Sequence, residues 1–276
     1  MKYVAFLDIL GFKKKIRGLQ PQEAKNFIFN FSGTIFNIFM KENSNNKING
    51  YIVSDSVILY SNDDSKDSLE VLIKLTGEIC KNEFIKNNIL MRGAIAKGEF
   101  DKVPAKEISS LEKGLIVGEA YIDAYVGEGS IKVMGVILSE DVYKDILDNN
   151  IKKDIVEGTK NKEKYYLLRY INVDFLCEDN LTKFITRAKE SKWLPHYYNT
   201  IYFATKKEND KKIEEMFVNI ENTVCNKRPS KNWRDLDLFI KNAFAEGVIY
   251  AFKSKFLKHI RKKFICCLNS SRLFNF

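Results

Sequence analysis

The order of apolar and polar positions divides the chain into short extended runs and longer helical ones. Tyr3–Leu7 is a buried-strand run of aromatic, β-branched and aliphatic residues, ended by Asp8 and then by Gly11, a natural turn point. From Pro21 to Met40 the apolar residues recur every three to four positions, which predicts an amphipathic helix with Pro21 in its first turn. Past the polar loop Lys41–Asn46, Ile48–Val53 and Ser56–Tyr60 read as two strands meeting at a tight turn, Ser54-Asp55. Ser68–Lys86 predicts a second helix and Leu90–Ala96 a further strand ending at Gly98. The order βαββαβ predicts an α/β fold, a ferredoxin-like or palm-like sandwich with helices on one face of a mixed sheet. Further strands are expected at Leu115–Val117, Ile131–Leu138 and Tyr165–Tyr170, and helices at Glu119–Tyr125 and Asp141–Leu147. After about Asn180 the pattern turns helical, notably at Lys211–Val224 and Leu236–Phe264, so residues 1–180 are expected to form one domain and 181–276 a helical region packed on it.

Composition narrows the function classes. With 276 residues, 45% of them hydrophobic, the chain has the material for a packed core and is too apolar for disorder. Charged or amide residues interrupt every apolar run well short of the ~18 residues a membrane-spanning helix needs. Met1–Phe12 lacks the pattern of a signal peptide, and Cys80, Cys177, Cys225, Cys266 and Cys267 are scattered without a CxxC pair, so a cytoplasmic protein with reduced thiols is expected. Only His196 and His259 are present, which leaves few parts for a histidine metal site, a Ser/His/Asp triad or a Cys/His dyad. Chemistry must therefore rest on carboxylates. The net charge of +9 suits a polyanionic ligand without choosing among nucleic acid, acidic lipid and nucleotide.

Asp8, at the carboxyl end of the first strand, and Asp55, at the tip of the hairpin, fall at neighbouring edges of a ferredoxin-like sheet. Two carboxylates there suit hard divalent cations that share a substrate's phosphates, a two-metal phosphoryl-transfer site. The alternative is a pair of ordinary turn aspartates that cap their own loops.

The string Phe6-Leu7-Asp8-Ile9-Leu10-Gly11-Phe12 resembles the first-strand signature of class III nucleotide cyclases. Ser54-Asp55 resembles that family's hairpin motif with serine in place of glycine, and Met91-Arg92-Gly93-Ala94-Ile95-Ala96-Lys97-Gly98 is similar to its later strand. The likeness spans about residues 3 to 130. It implies that Asp8 and Asp55 hold two Mg²⁺ or Mn²⁺ ions with the backbone carbonyl of Ile9 as a further ligand, that a nucleoside triphosphate is cyclised to a 3′,5′-cyclic nucleotide, and that the chain is a homodimer. The turn after Gly11, Lys13 to Lys15 and the next helix offer phosphate contacts, although three successive lysines also read as a solvated helix start.

Three departures refine the expectation. Positions that read a purine in this family hold Tyr51 and Leu115, so the chain resembles the bacterial pyrimidine cyclases of the Pycsar antiphage systems, with UTP placed ahead of CTP and a downstream cyclic-nucleotide effector implied. Tyr51 presents a hydroxyl and an aromatic face to a small base, or else packs its ring on a neighbour. The family's asparagine and arginine on the dimer-facing helix are replaced by Ile122 and Val126, so Arg92 and Lys97 are the candidates for the missing positive charge. Arg92 is assigned with Asp8 and Asp55 to catalysis, and Phe12, Tyr51 and Lys97 to substrate binding.

The basic, amphipathic stretch from Phe252 to Phe264 fits a membrane surface, a nucleic acid, or a helix packed on its own protein with its lysines in water. Trp193, Trp233 and His196-Tyr197-Tyr198 are read as packing residues around it. A pyrimidine cyclase with no stable nucleic-acid partner is the leading expectation. Its rivals are a catalytically silent cyclase-fold nucleotide sensor and a nucleic-acid-binding protein.

Overall fold

The computed structural model describes residues 1–43, 45–102, 116–160, 162–176, 178–191, 194–224 and 253–259. The chain divides into two compact units, Met1–Tyr170 and Ile171–Phe276.

The first unit is built on β1 (Lys2–Ile9), whose residues from Tyr3 to Leu7 are all buried. A strand apolar at both parities belongs in the middle of a sheet covered on both sides. The short α1 (Phe12–Arg17) and the long α2 (Pro21–Glu42) follow. α2 opens with Pro21 and a capping box in which the Gln20 backbone N–H donates to Glu23 Oε2 at 2.8 Å. β2 (Ile48–Val53) and β3 (Ser56–Ser61) form the expected hairpin. Its turn residue Ser54 has φ +57°, the left-handed region where glycine is least strained, which accounts physically for serine being the unusual residue here. α3 (Lys66–Asn87) begins two residues ahead of the expected start because Ser65 caps it, its side chain accepting from the Ser68 N–H at 3.2 Å. β4 (Met91–Gly98) completes the βαββαβ core.

Antiparallel pairing places β1 between β3 and β4, and β2 outside β3. The small ladder of β5 (Asp101–Lys102) and β6 (Ile116–Val117) leads to α4 (Glu119–Ser130). β7 (Val136–Leu138) then adds parallel to β4 and makes the sheet mixed. Beyond α5 (Glu140–Asp145) and α6 (Asn149–Lys153), β8 (Ile155–Lys160) and β9 (Glu163–Leu168) close a seven-stranded sheet of order β2-β3-β1-β4-β7-β9-β8. This is the mixed α/β sandwich that the sequence predicts.

Helices cover both faces of this sheet rather than one. α3 packs over β1, β3 and β4 on the face of Tyr3, Ala5 and Leu7, with α2 against α3. α4 lies on the other face against β1 and β4, where Val4, Phe6, Ala96, Ala120 and Ala124 form one buried cluster. Small residues permit this approach: a Cβ on Gly127 would stand 2.9 Å from the Ala94 Cβ, and one on Gly118, at φ +141°, 2.1 Å from the Glu99 carbonyl oxygen.

Two expectations for strands change. Only Val136–Leu138 of the expected run from Ile131 is extended, because the Val133 N–H donates to the Ile131 carbonyl at 2.9 Å and folds that stretch into a tight turn. β8 carries no strong sequence signal: Glu157, Thr159 and Lys160 are exposed along an edge strand. Of the expected strand Leu115–Val117, Ile116 and Val117 are extended as β6, while Leu115 and most of Leu236–Phe264 fall outside the described residues, as do Trp193 and Trp233.

The regular elements described in the second unit are helical: α7 (Glu178–Ser191), α8 (Leu194–Ala204), α9 (Asp210–Val224) and residues 253–259. Phe256 is buried against Phe217 and Tyr198, and the buried His259 meets Glu214 at 2.9 Å, while Lys255 and Lys258 are exposed. Within this segment the amphipathic stretch packs its apolar side inside its own unit. Among the described residues no helix is long and apolar enough to cross a membrane.

Candidate active site

Asp8 sits on the last turn of the ladder that holds β1 to both neighbours. Its cross-strand partner is Ser56 on β3 and Arg92 on β4. Residues directly opposite in antiparallel strands share a face, so Asp8, Ser56 and Arg92 lie on the α4 side together with Val4 and Phe6. The chain leaves β1 through Gly11, at φ +79°, into α1. The Ile9 N–H donates to the Asp55 carbonyl at 3.2 Å and ties the hairpin tip to the end of β1. Two aspartates 47 positions apart in sequence are thus brought to the same end of the central strands.

Their proximity is visible in the acidity of Asp8. Burial raises its carboxyl to about 6, and the charge of Asp55 adds to the rise. Arg92, the Ser56 hydroxyl donating to Asp8 Oδ1 at 3.3 Å, and the Ile9 N–H oppose it. A carboxylate kept ionised against burial and a like charge is a ready ligand for a cation.

α4 brings a further group that the sequence reading did not single out. Glu128 is buried and its Oε1 pairs with Arg92 Nε. Burial pushes the Glu128 carboxyl up to about 7, with Arg92 lowering it and the Asp8 charge raising it. The signal was present: Glu128 falls four and eight residues after Ala124 and Ala120, so it lies on the apolar face of α4, where an acid needs a partner. Arg92 thus faces two carboxylates, Asp8 across the ladder and Glu128 from α4, while Asp55 approaches Asp8 from the hairpin.

Among the described residues, no group of three or more His, Cys, Asp or Glu side chains is arranged to hold a metal ion. The oxygen donors near Asp8 nevertheless fit a magnesium-like ion, which takes one or two carboxylates and fills its shell with water and substrate phosphate. Those donors are Asp8, Asp55 and the main chain of Ile9.

The other sequence-derived candidates divide. Tyr51 is on the same face, opposite Ile58, with its ring stacked on Tyr60 at 6.0 Å. Phe12 opens α1, half-buried, with its ring 6.2 Å from Phe27 of α2. Lys97 is not brought to the site. It pairs in register with Tyr3, so it projects on the opposite face, and its Nζ meets Asp145 Oδ2 at 2.6 Å. Tyr3 donates to the same carboxylate at 2.8 Å, which makes Lys97 part of a half-buried strap from the sheet to α5. Lys13, Lys14 and Lys15 are exposed on α1. Leu115 is outside the described residues, and Ile122 and Val126 are 57% and 63% exposed on α4.

No family model matches this chain, and neither does any curated protein. Solved structures with a similar chain path include the adenylyl cyclase CyaB from P. aeruginosa, 16% identical over 60% of this chain and 92% of that one, with a TM-score of 0.46. The dimeric guanylyl cyclase domain of RhoGC from the fungus Blastocladiella emersonii is 15% identical over 60% of this chain and 93% of its own, with a TM-score of 0.49. The guanylate cyclase domain of RhGC from Catenaria anguillulae, in complex with GTP, is 14% identical over 60% and 94%, with a TM-score of 0.46. Identities this low leave the chemistry to be argued from the side chains.

Proposed function

We propose that this protein is a nucleotide cyclase that converts a pyrimidine ribonucleoside triphosphate, UTP ahead of CTP, into its 3′,5′-cyclic monophosphate and pyrophosphate. The observation that carries the reading is the meeting of Asp8 and Asp55 at the β1 edge with Arg92 on the adjacent strand. Acidic side chains hold cations and an arginine holds phosphate, the combination that phosphoryl transfer requires.

In the reaction the ribose 3′-oxygen bonds to the α-phosphorus, its proton passes to solvent, and the bond from that phosphorus to the bridging oxygen breaks to release pyrophosphate. Asp8, Asp55 and the Ile9 carbonyl would hold Mg²⁺ or Mn²⁺, which when bound neutralises phosphate charge and acidifies the attacking hydroxyl. Arg92 is the chain's own cation at the site, suited to charge that develops on the leaving phosphates. Tyr51 supplies an aromatic face to the base in place of the lysine that purine cyclases carry.

The motif resemblance extends the proposal to a homodimer that generates a second messenger in antiphage defence, acts in the cytoplasm and signals to a cyclic-nucleotide effector. One observation favours a rival. Exposed Ile122 and Val126, where the resembling family has asparagine and arginine, suit a silent nucleotide sensor. Calorimetric titration of UTP with and without Mn²⁺ into wild type, Asp8→Ala and Asp55→Ala tests the site itself. Metal-dependent binding lost in both variants is expected, and binding that ignores both substitutions would remove these residues from the site.

A further inference from the structure

Away from the carboxylates, the same face of the sheet carries an aromatic stack capped by cations. Tyr51 lies against Tyr60 with centroids 6.0 Å apart, and Tyr60 against Phe100 at 4.7 Å. Lys102 places its Nζ 5.5 Å from the Tyr51 ring centroid and 5.2 Å from that of Tyr60. Lys2 stands over Tyr60 and Phe100 at 5.7 and 5.8 Å, so among the described residues Lys102 is the cation that reaches Tyr51.

Placement links this stack to the carboxylates. Strand register puts Tyr51 opposite Ile58, two residues along β3 from Ser56, the partner of Asp8. The offset is about 7 Å along the strands and about 10 Å across two of them. That separation is of the scale between the phosphates and the base of one nucleotide. Between the stack and the carboxylates Phe6 and Ile58 are buried in the core cluster, with Tyr121 and Tyr125 of α4 edge-on to Phe6 at 6.3 and 5.2 Å.

We propose that Lys102 is a specificity-determining residue of this cleft, presenting its ammonium to a keto oxygen of the substrate base and so favouring uracil over cytosine. The inference rests on the cleft being a nucleoside triphosphate site and names the group that selects the base. An ammonium has three donors and no acceptor. Uracil offers a carbonyl oxygen at the position where cytosine carries an amino group, itself a donor. Lysine against the first makes a charge-assisted hydrogen bond, whereas against the second two donors face each other and go unsatisfied. Discrimination between otherwise similar rings comes from such a mismatch. Tyr51, the partly exposed ring of the stack, accepts any base by its π-face and contributes affinity without choosing among them, while Tyr60 and Phe100 are buried behind it. A hydrogen bond with Tyr60 raises the Lys102 pKa, so the side chain stays charged. The β5–β6 ladder, with Lys102 opposite Ile116, anchors its backbone.

The test compares UTP with CTP, in Mn²⁺, on the full chain as wild type, Lys102→Gln and Lys102→Arg, reading binding by calorimetry and cyclic product by mass spectrometry. Lys102→Gln, which adds an acceptor, is expected to shift the UTP-to-CTP affinity ratio toward CTP by at least about tenfold. Inhibition or binding by inorganic tripolyphosphate, which probes only the carboxylate end, should stay at the wild-type value, and Lys102→Arg should retain the preference for UTP. An unchanged ratio in Lys102→Gln, or an equal loss of tripolyphosphate binding, overturns the assignment. Binding without cyclic product refutes the cyclase chemistry alone, because the affinity ratio still reads Lys102. Failure of the wild type to bind any nucleotide overturns both.

Discussion

Arg92 stands directly across the β1–β4 ladder from Asp8, yet its ion pair is made with Glu128 of α4. One guanidinium thus faces a carboxylate of the sheet and another from the helix packed on it. Arg92→Ala would leave Glu128 and Asp8 buried without their cation, and is expected to cost about 2–3 kcal/mol of stability. Adding Glu128→Gln should recover part of that loss, and urea denaturation of the four members of this double-mutant cycle measures the coupling. Independent, additive losses would contradict the pairing.

Asp8 should behave as a residue kept for function at the expense of stability. Its carboxyl moves from an ordinary value of 3.8 to about 6 through burial and the charge of Asp55. A raised carboxylate pKa means the folded chain binds the proton more tightly than the unfolded one. Its contribution to stability is therefore greatest below pH 4 and declines as pH rises to about 6. Asp8→Asn removes that penalty and is expected to stabilise the metal-free protein at pH 7 by about 1 kcal/mol, after allowance for solvent screening. The same variant should lose Mn²⁺-dependent nucleotide binding. In wild type, Mn²⁺ affinity should fall by up to about tenfold per unit below pH 6, because protons compete for Asp8. A destabilised Asp8→Asn, or a metal affinity indifferent to pH between 4 and 7, would contradict this electrostatic account.

The hairpin and the α4 entry make opposite predictions about glycine. Ser54 has φ +57°, so Ser54→Gly should raise stability by about 1 kcal/mol, less the entropy that glycine adds to the unfolded chain. Gly118→Ala would set a Cβ 2.1 Å from the Glu99 carbonyl and is expected to cost at least about 2 kcal/mol while displacing α4. Thermal denaturation reads both.

The outer side of α4 is apolar. Ile122, Tyr125 and Val126 are each more than half exposed, with Val117 just before the helix. A contiguous exposed patch of this kind suits association, and the proposal assigns it to a second copy of the chain. Val126→Glu should shift the sedimentation of a dimer to that of a monomer and lower cyclase activity with it. A wild-type chain that sediments as a monomer at tens of micromolar would remove the dimer from the account.

Much of the first unit was legible because its signals are local. Strand-length apolar runs, the Ser54-Asp55 turn and Gly11 are enough to put Asp8 and Asp55 at neighbouring strand ends. Lys97 was misplaced for a reason the sequence itself contains. Five residues separate it from Arg92, and an odd step along a strand changes face, so the two cannot both reach Asp8. Glu128 carried a local signal as an acid on the apolar face of α4, but its pairing with Arg92 depended on α4 crossing the Asp8 face of the sheet, a long-range fact set by Ala94, Ala96, Ala120, Ala124 and Gly127 together. β8 escaped because an edge strand facing solvent carries too few apolar positions to stand out.

The central claim is tested most directly by product identity. Purified protein is incubated with each of ATP, GTP, CTP and UTP in Mn²⁺ or Mg²⁺, beside Asp8→Ala and Asp55→Ala, and the products are resolved by mass and retention. The account predicts a 3′,5′-cyclic pyrimidine nucleotide and pyrophosphate from wild type, with UTP the better substrate and both variants inactive. Absence of any cyclic nucleotide from a folded wild-type chain that binds the triphosphates would contradict it and leave a nucleotide sensor in its place.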